Sequence, residues 1–117
     1  MATKQSTVDY ILDQLASAGE VSARKMFGGY VLYCNAKVVG LICNDVLYIK
    51  ITQPGKKFMG EHYQAGRAYP GAKISMMIDG AQTEDREWLS ELVRLTADNL
   101  PLPNLKKVSK KQVIFNK

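Results

Sequence analysis

The side chains best suited to nucleophilic or metal chemistry are few in this chain: one histidine, His62, and two cysteines, Cys34 and Cys43. One histidine excludes a histidine-based metal cluster, and a nucleophile–histidine–acid unit would have to be built on His62 alone. No spacing in the sequence suggests such a unit. We therefore interpret His62 as an isolated surface residue and predict no catalytic residue, cofactor or metal site. A deep pocket gathering His62, Arg67 and Tyr69 would reverse this expectation that the chain is not an enzyme.

Motifs for phosphate binding are incomplete. Gly55-Lys56 has the form of the end of a phosphate loop, but Lys50 stands where the earlier glycine of that motif should be. Gly28-Gly29 is followed by a predicted strand and not by a helix, so a β-bulge or tight bend is the better interpretation. Neither glycine pair therefore predicts a nucleotide site.

Positive charge is concentrated at one end of the chain. Residues 104–117 hold five lysines and no acid, and removing these five from the 16 basic residues leaves 11, equal to the 11 acids. The lysines at i, i+4 spacing could order on nucleic acid or on an acidic partner; the alternative is a solvated tail that improves solubility. The candidate nucleic-acid or partner-binding residues are Lys106, Lys107, Lys110, Lys111, Arg24 and Lys25.

The two cysteines do not predict a disulfide. They lie at opposite ends of one predicted strand, roughly 20 Å apart at about 3.3 Å per residue. No basic-then-apolar leader opens the sequence, and no apolar run approaches the roughly 20 residues of a membrane span. These observations indicate a cytoplasmic protein without membrane contact.

Two helices and a β-meander are predicted to position these residues. Apolar side chains recur at i, i+3, i+4 and i+7 from Val8, which predicts a helix over 6–18 with Ser6 as its N-cap. A second helix is expected after Asp79-Gly80, with Thr83 as its cap and Pro101 beyond its end. The pattern in between predicts strands over 22–27, 30–34, 37–43, 46–51 and 73–78.

Turn residues divide the predicted strands. Asn35-Ala36 and Asn44-Asp45 suit tight hairpins. Pro54-Gly55 is predicted to form a turn, with a short helical turn near 57–61 and irregular structure over 62–71. Tyr30, Tyr33 and Tyr48 are interpreted as aromatic cross-strand pairs in the sheet, not as a platform for bases.

A run of residues in the predicted hairpin region closely resembles the N-terminal domain of the TfoX/Sxy family. The run is Arg24-Lys25-Met26-Phe27-Gly28-Gly29-Tyr30, followed by Leu32-Tyr33 and by Leu47-Tyr48-Ile49-Lys50. The Ile74-Ser75-Met76-Met77 strand and the helix of Trp88 stand where that domain has its later elements. The resemblance covers roughly residues 8–100, and Met-Phe-Gly-Gly-Tyr is its specific part.

The resemblance implies a two-layer α+β domain, with an antiparallel β-meander packed against N- and C-terminal helices over residues 1–103. It also implies a role in transcription regulation through a protein partner and through DNA, since these bacterial proteins are associated with regulation of genes for DNA uptake. The lysine tail is the candidate contact to nucleic acid in this chain. Longer members carry a helical C-terminal domain, where this chain has the basic tail 104–117. The alternative is a homodimeric interaction or chaperone-like module without a nucleic-acid role; the apolar run Val113-Ile114-Phe115 favours docking on the domain or on a second copy.

Overall fold

The computed structural model of the chain describes residues 3–26 and 28–101. Predictions that concern Phe27 or the tail 104–117, with Lys106, Lys107, Lys110 and Lys111, lie outside the described residues. Within them, one six-stranded antiparallel sheet and four helices form an α+β fold, which confirms the predicted fold class.

The strands lie in the order β1-β2-β3-β4-β6-β5. The first four form the predicted meander, β6 pairs with β4, and β5 closes the far edge. The five predicted strands are confirmed with small shifts at their ends. The strands are β1 (Val21–Met26), β2 (Gly29–Cys34), β3 (Lys37–Cys43), β4 (Val46–Ile49), β5 (Ala65–Arg67) and β6 (Ile74–Ile78).

The hairpin turns of the meander require backbone conformations that few residues adopt. Asn35, Ala36, Asn44 and Asp45 all have positive φ angles, between 53° and 69°. Two consecutive residues of this kind form a turn whose twist matches that of the flanking strands, so the predicted two-residue hairpins are confirmed. Gly28, with φ 81°, lies between β1 and β2, and the predicted tight bend at this position is confirmed as well.

Helix α1 (Gln5–Gln14) begins earlier and ends earlier than the predicted 6–18 segment. Ser6 lies inside the helix, and the expected Ser6 cap is wrong. The N-cap residue is Lys4, whose side chain makes no capping bond. Asp45, in the β3–β4 turn, fixes this end of the helix, because its Oδ1 accepts hydrogen bonds from the Lys4 N–H and the Thr7 hydroxyl, each 2.9 Å long. These bonds, the Lys4 bond above all, lower the pKa of the Asp45 carboxyl.

Helix α2 (Gln53–Met59) replaces the predicted Pro54-Gly55 turn, and a 3₁₀ turn (Gly60–His62) follows it. The prediction was wrong because proline is compatible with the first turn of a helix, where its missing N–H costs no hydrogen bond. Thr52 caps this helix by accepting the Gly55 N–H at 3.1 Å.

Two helices follow β6 where one was predicted. Asp79 caps the short α3 (Gly80–Thr83) in a reciprocal capping box with Gln82. The long α4 (Arg86–Asp98) is capped by Asp85, which accepts the Trp88 N–H at 3.1 Å. The expected Thr83 cap is therefore wrong, since the Thr83 hydroxyl instead donates to the Gly80 carbonyl.

The main core lies between one face of the sheet and the helices α1, α2 and α4. Leu47 and Ile49, which alternate with Val46 and Tyr48 along β4, belong to it, and Leu92 of α4 is fully buried in the same core. A bulge interrupts the β2–β3 ladder, because Leu32 pairs with Gly40 whereas the next residue, Tyr33, pairs with Val38. Other large members of the core are Val8, Ile11, Leu15, Leu32, Ile42, Met59, Met76, Leu89 and Val93.

Two further expectations about the sheet are corrected. The three tyrosines do not pair with one another: Tyr30 lies opposite Ile42, Tyr33 opposite Val38, and Tyr48 opposite Leu41 and Met77. The tyrosines do lie in the sheet, as predicted, but opposite aliphatic, sulfur-containing and polar residues, the polar ones being Lys25 opposite Tyr30 and Ser22 opposite Tyr33. Within the predicted irregular segment 62–71, residues 65–67 form strand β5, which is only three residues long and carries no alternating pattern from which it could be recognised.

Candidate partner-binding surface

Alternation along the strands sends a second set of side chains to the face of the sheet opposite the helices. Cys43 and Tyr48 are buried on this outer face, together with Ala68 from the segment after β5. Leu41, Val46 and Met77 pack around them. The outer face is therefore apolar and partly covered, unlike the solvated outer face that alternation alone indicates for a half-buried antiparallel sheet.

The cover is a short loop, residues 68–72, which connects the edge strand β5 to β6. The guanidinium of Arg67 donates to the carbonyl of Ala72, and the Ala72 N–H donates to the Tyr69 carbonyl at 3.0 Å. Ala68 and Ala72 are buried, whereas Tyr69 is 42% exposed. The loop is therefore held by hydrogen bonds and exposes one aromatic side chain, that of Tyr69.

A groove of about 410 Å³ lies beside this loop. We call it the outer groove and define it by the residues that the argument below uses: Leu41, Lys50, Ile51, Tyr69, Lys73 and Ile74. A smaller hollow of about 60 Å³ adjoins it, shares Leu41 and Tyr69 with it, and is lined on its other side by Met26 and Cys43. The two depressions together form one continuous surface.

Exposed apolar side chains are concentrated on this surface. Five large hydrophobic residues are the most exposed among the described residues. Four of them line the outer groove or its adjoining hollow. These four are Met26, Ile51, Tyr69 and Ile74; the fifth, Tyr10, lies on α1. Apolar side chains clustered in this way, as opposed to scattered singly, are typical of an interaction site.

The charges on the outer groove are of one sign. Lys50 and Lys73 line it, and none of the described residues that line it is acidic. Neither lysine is in an ion pair with another described residue. The ion pairs among the described residues join Arg86 to Asp13 and Arg94 to Glu91, none of which lines the groove. The groove therefore offers two unpaired ammonium groups beside apolar side chains.

Arg24 and Lys25, the candidate basic contacts within the domain, lie in the edge strand β1 and are both exposed. As successive residues of a strand they point to opposite faces of the sheet. Arg24 lies opposite Val31, and Lys25 lies opposite Tyr30, which belongs to the helical face. The structure does not bring these two side chains together on one face, and the four candidate lysines of the tail lie outside the described residues.

His62, Arg67 and Tyr69 are not gathered into one pocket by their described contacts. The His62 ring stands edge-on to Trp88 of α4, with 6.2 Å between ring centroids. Arg67 is engaged with the Ala72 carbonyl, and Tyr69 lines the outer groove. The arrangement that would have reversed the interpretation of His62 is thus not found among these contacts.

The thiols and the groups of possible metal ligands within residues 3–26 and 28–101 bear on the sequence predictions. Cys34 and Cys43 are both buried and unbridged, as predicted, and burial is the main cause that raises the pKa of the Cys34 thiol. No group of three or more histidine, cysteine or acidic side chains in these ranges could hold a metal ion. None of the helices described there has the length and apolar character required to span a membrane.

The residues of the outer groove were not singled out from the sequence as a site. A signal was present, since the alternation of β6 placed Lys73 on one face with Ser75 and Met77, and that of β4 placed Lys50 with Tyr48. The antiparallel pairing of β4 with β6, in which Tyr48 lies opposite Met77, brings these two faces together. Such pairing between strands 25 or more residues apart cannot be derived from periodicity, which is a local property.

Comparison with known proteins identifies the family of this chain. The family described as TfoX N-terminal domain matches residues 13–100. The chain is also 36% identical, over 111 residues that cover 95% of each chain, to a protein from Spirochaeta aurantia that is described as an uncharacterized 12.7 kDa protein in the trpE 5′ region. The family match spans three quarters of the chain and includes every strand, so the chain belongs to the TfoX N-terminal domain family.

Proposed function

We propose that this chain is a non-enzymatic regulatory domain that acts by binding a protein partner through the outer groove. The observation that carries the proposal is the clustering of Met26, Ile51, Tyr69 and Ile74 on one continuous surface. Covering apolar surface gains about 25 cal/mol per Å² removed from water, so a partner gains most by binding where such side chains are already exposed. The proposal includes a role in transcription regulation, which is the role that the resemblance to TfoX proteins implies.

Photo-crosslinking in the cells that produce the protein tests which surface contacts a partner. A photoreactive phenylalanine derivative replaces Tyr69 in one variant and Tyr10 in a matched control, since the two tyrosines are 42% and 43% exposed. We expect a discrete crosslinked protein from position 69 and none from position 10, because only position 69 lies on the proposed surface. Mass spectrometry identifies the product, and binding of that purified protein to the chain is then measured directly.

Two results would argue against this assignment. Equal crosslinking from both positions would mean that the outer groove has no special role. A product at position 69 that consists only of two copies of this chain, with a doubled mass in solution, would favour the alternative of a homodimeric interaction or chaperone-like module.

A second candidate function is nucleic-acid binding through the tail, and it is favoured by one observation: the whole formal charge of +5 equals the charge of the five lysines in residues 104–117. Fluorescence anisotropy with a labelled DNA duplex, at several salt concentrations, tests it on the full chain and on a chain that ends at Pro103. If all five lysines contact phosphates, the slope of log K against log salt approaches about −4.5, and truncation abolishes binding. No binding at low salt would exclude the tail as a DNA contact, and equal binding after truncation would assign the contact elsewhere.

A further inference from the structure

We propose that the partner segment that occupies the outer groove is acidic and apolar: a short peptide stretch in which Asp or Glu residues flank a large hydrophobic side chain. This inference rests on the proposed function and specifies the chemistry of its partner. It is drawn from the charge, shape and exposure of the groove, each of which limits what can bind there.

The charge of the groove selects the sign of its ligand. Lys50 and Lys73 border it without an ion-pair partner among the described residues, and no described residue that lines it is acidic. A ligand carboxylate placed beside either ammonium group is attracted to it, and no carboxylate of the described residues already occupies that position. A basic segment placed there would be repelled by both.

The apolar part of the groove selects a hydrophobic side chain as well. Ile51 and Ile74 are 36% and 49% exposed, and Tyr69 adds an aromatic face beside them. A volume of about 410 Å³ is within the size range of pockets that enclose small ligands, so it can hold one or two large side chains of a peptide. A ligand with carboxylates alone would leave these exposed side chains uncovered.

Three other occupants fit less well. The tail 104–117 carries five lysines and no acid, so it brings the wrong charge. A second copy that docked by the same surface about a two-fold axis would bring its own Lys50 and Lys73 to an already positive groove. A DNA duplex presents phosphates, which suit the lysines, but its backbone offers no apolar group to cover Ile51, Tyr69 and Ile74.

A random library of 12-residue peptides displayed on phage, selected on the immobilised full chain, tests the inference. We expect the selected peptides to be enriched in Asp and Glu and to share at least one Leu, Ile, Phe or Trp. The affinity of a synthetic selected peptide should fall about fivefold or more in the double variant Lys50→Gln/Lys73→Gln, and similarly in Tyr69→Ser, because each change removes one part of the recognition. In NMR spectra of the isotope-labelled chain, titration with the peptide should change the chemical shifts of the groove residues most.

The matched control is Lys4→Gln/Lys57→Gln, which removes the same charge at two exposed lysines that do not line the groove. Its peptide affinity should stay within about twofold, since long-range effects are screened by salt. The tail is identical in both double variants, so any binding of acidic peptides to its lysines cancels in the comparison. All these substitutions are at exposed side chains, and equal melting temperatures verify that the variants are folded.

Several outcomes would overturn the inference. It fails if the library yields no peptide, if the selected peptides are neutral or basic, or if the Lys50→Gln/Lys73→Gln variant binds as well as the control. It also fails, in favour of nucleic acid, if a DNA duplex displaces the peptide from the full chain and from the chain ending at Pro103 alike. In each case a specific crosslink from position 69 would still support the proposed function, so the two failures are distinguishable.

Discussion

The Gly40→Ala variant is expected to lose about 3 kcal/mol or more of its free energy of unfolding, an effect at the upper end for single substitutions. A Cβ atom at position 40 would lie 2.1 Å from the carbonyl oxygen of Tyr48 and 3.1 Å from the Cα atom of Ile49. Both neighbours are backbone atoms of β4, so no rotation of a side chain can relieve the overlap. The strands β3 and β4 would have to separate at a position where Gly40 pairs with Ile49.

Equilibrium unfolding in urea, followed by the fluorescence of Trp88, measures this loss. The control is Gly80→Ala, because nothing lies within 4 Å of a Cβ atom built at Gly80, the first residue of α3. Alanine there should be neutral or stabilise by up to about 1 kcal/mol, since it restricts the unfolded chain and favours the helix. A Gly40→Ala variant as stable as Gly80→Ala would mean that the close approach of β3 and β4 is not a feature of the folded protein.

The Leu92→Ala variant is expected to lose about 3 kcal/mol, within the range of about 2–5 kcal/mol for truncation of a buried leucine. Leu92 is 0% exposed and lies in the main core, on the α4 side that faces the sheet and α2. Alanine would remove three side-chain carbon atoms, Cγ and the two Cδ atoms, and leave a cavity between the helical layer and the sheet. The same urea experiment measures the loss.

Leu95→Ala is the matched control on the same helix, because Leu95 is half-buried and lies outside the main core cluster. The same chemical change should cost about 1 kcal/mol there, since the side chain is already partly in water and neighbouring residues can close over the gap. Equal losses at positions 92 and 95 would contradict the described orientation of α4 on the sheet.

Local features of the fold were predictable from the sequence. The turn pairs Asn35-Ala36 and Asn44-Asp45 lie between apolar runs, and Asn and Asp tolerate the positive φ angles found at three of these four positions. Ala36, with φ 69°, is the exception. Along β4, the alternation of Leu47 and Ile49 with Val46 and Tyr48 in the sequence matches their division between the core and the outer face. Helix ends were predicted less well, because the start of α1 is held by Asp45, 41 residues away from Lys4 in the chain.

Features that depend on distant parts of the chain could not be predicted in the same way. The strand order places β6 between β4 and β5, and this arrangement creates the outer groove. Lys50 and Lys73 look like ordinary surface lysines in the sequence, and they line the same groove only because β4 and β6 are neighbours. Arg24 and Lys25 are adjacent in the sequence, yet strand geometry sends them to opposite faces.

The division of each strand between two faces has a consequence for how relatives of this protein diverge. In β4, the core residues Leu47 and Ile49 alternate with Val46 and Tyr48, which belong to the outer face. Under the proposed function, Lys50 contacts a partner whereas its neighbour Ile49 is a core residue, so selection for binding and selection for folding would act on interleaved positions. Substitutions at the outer positions would then change the preferred partner while the core is inherited unchanged.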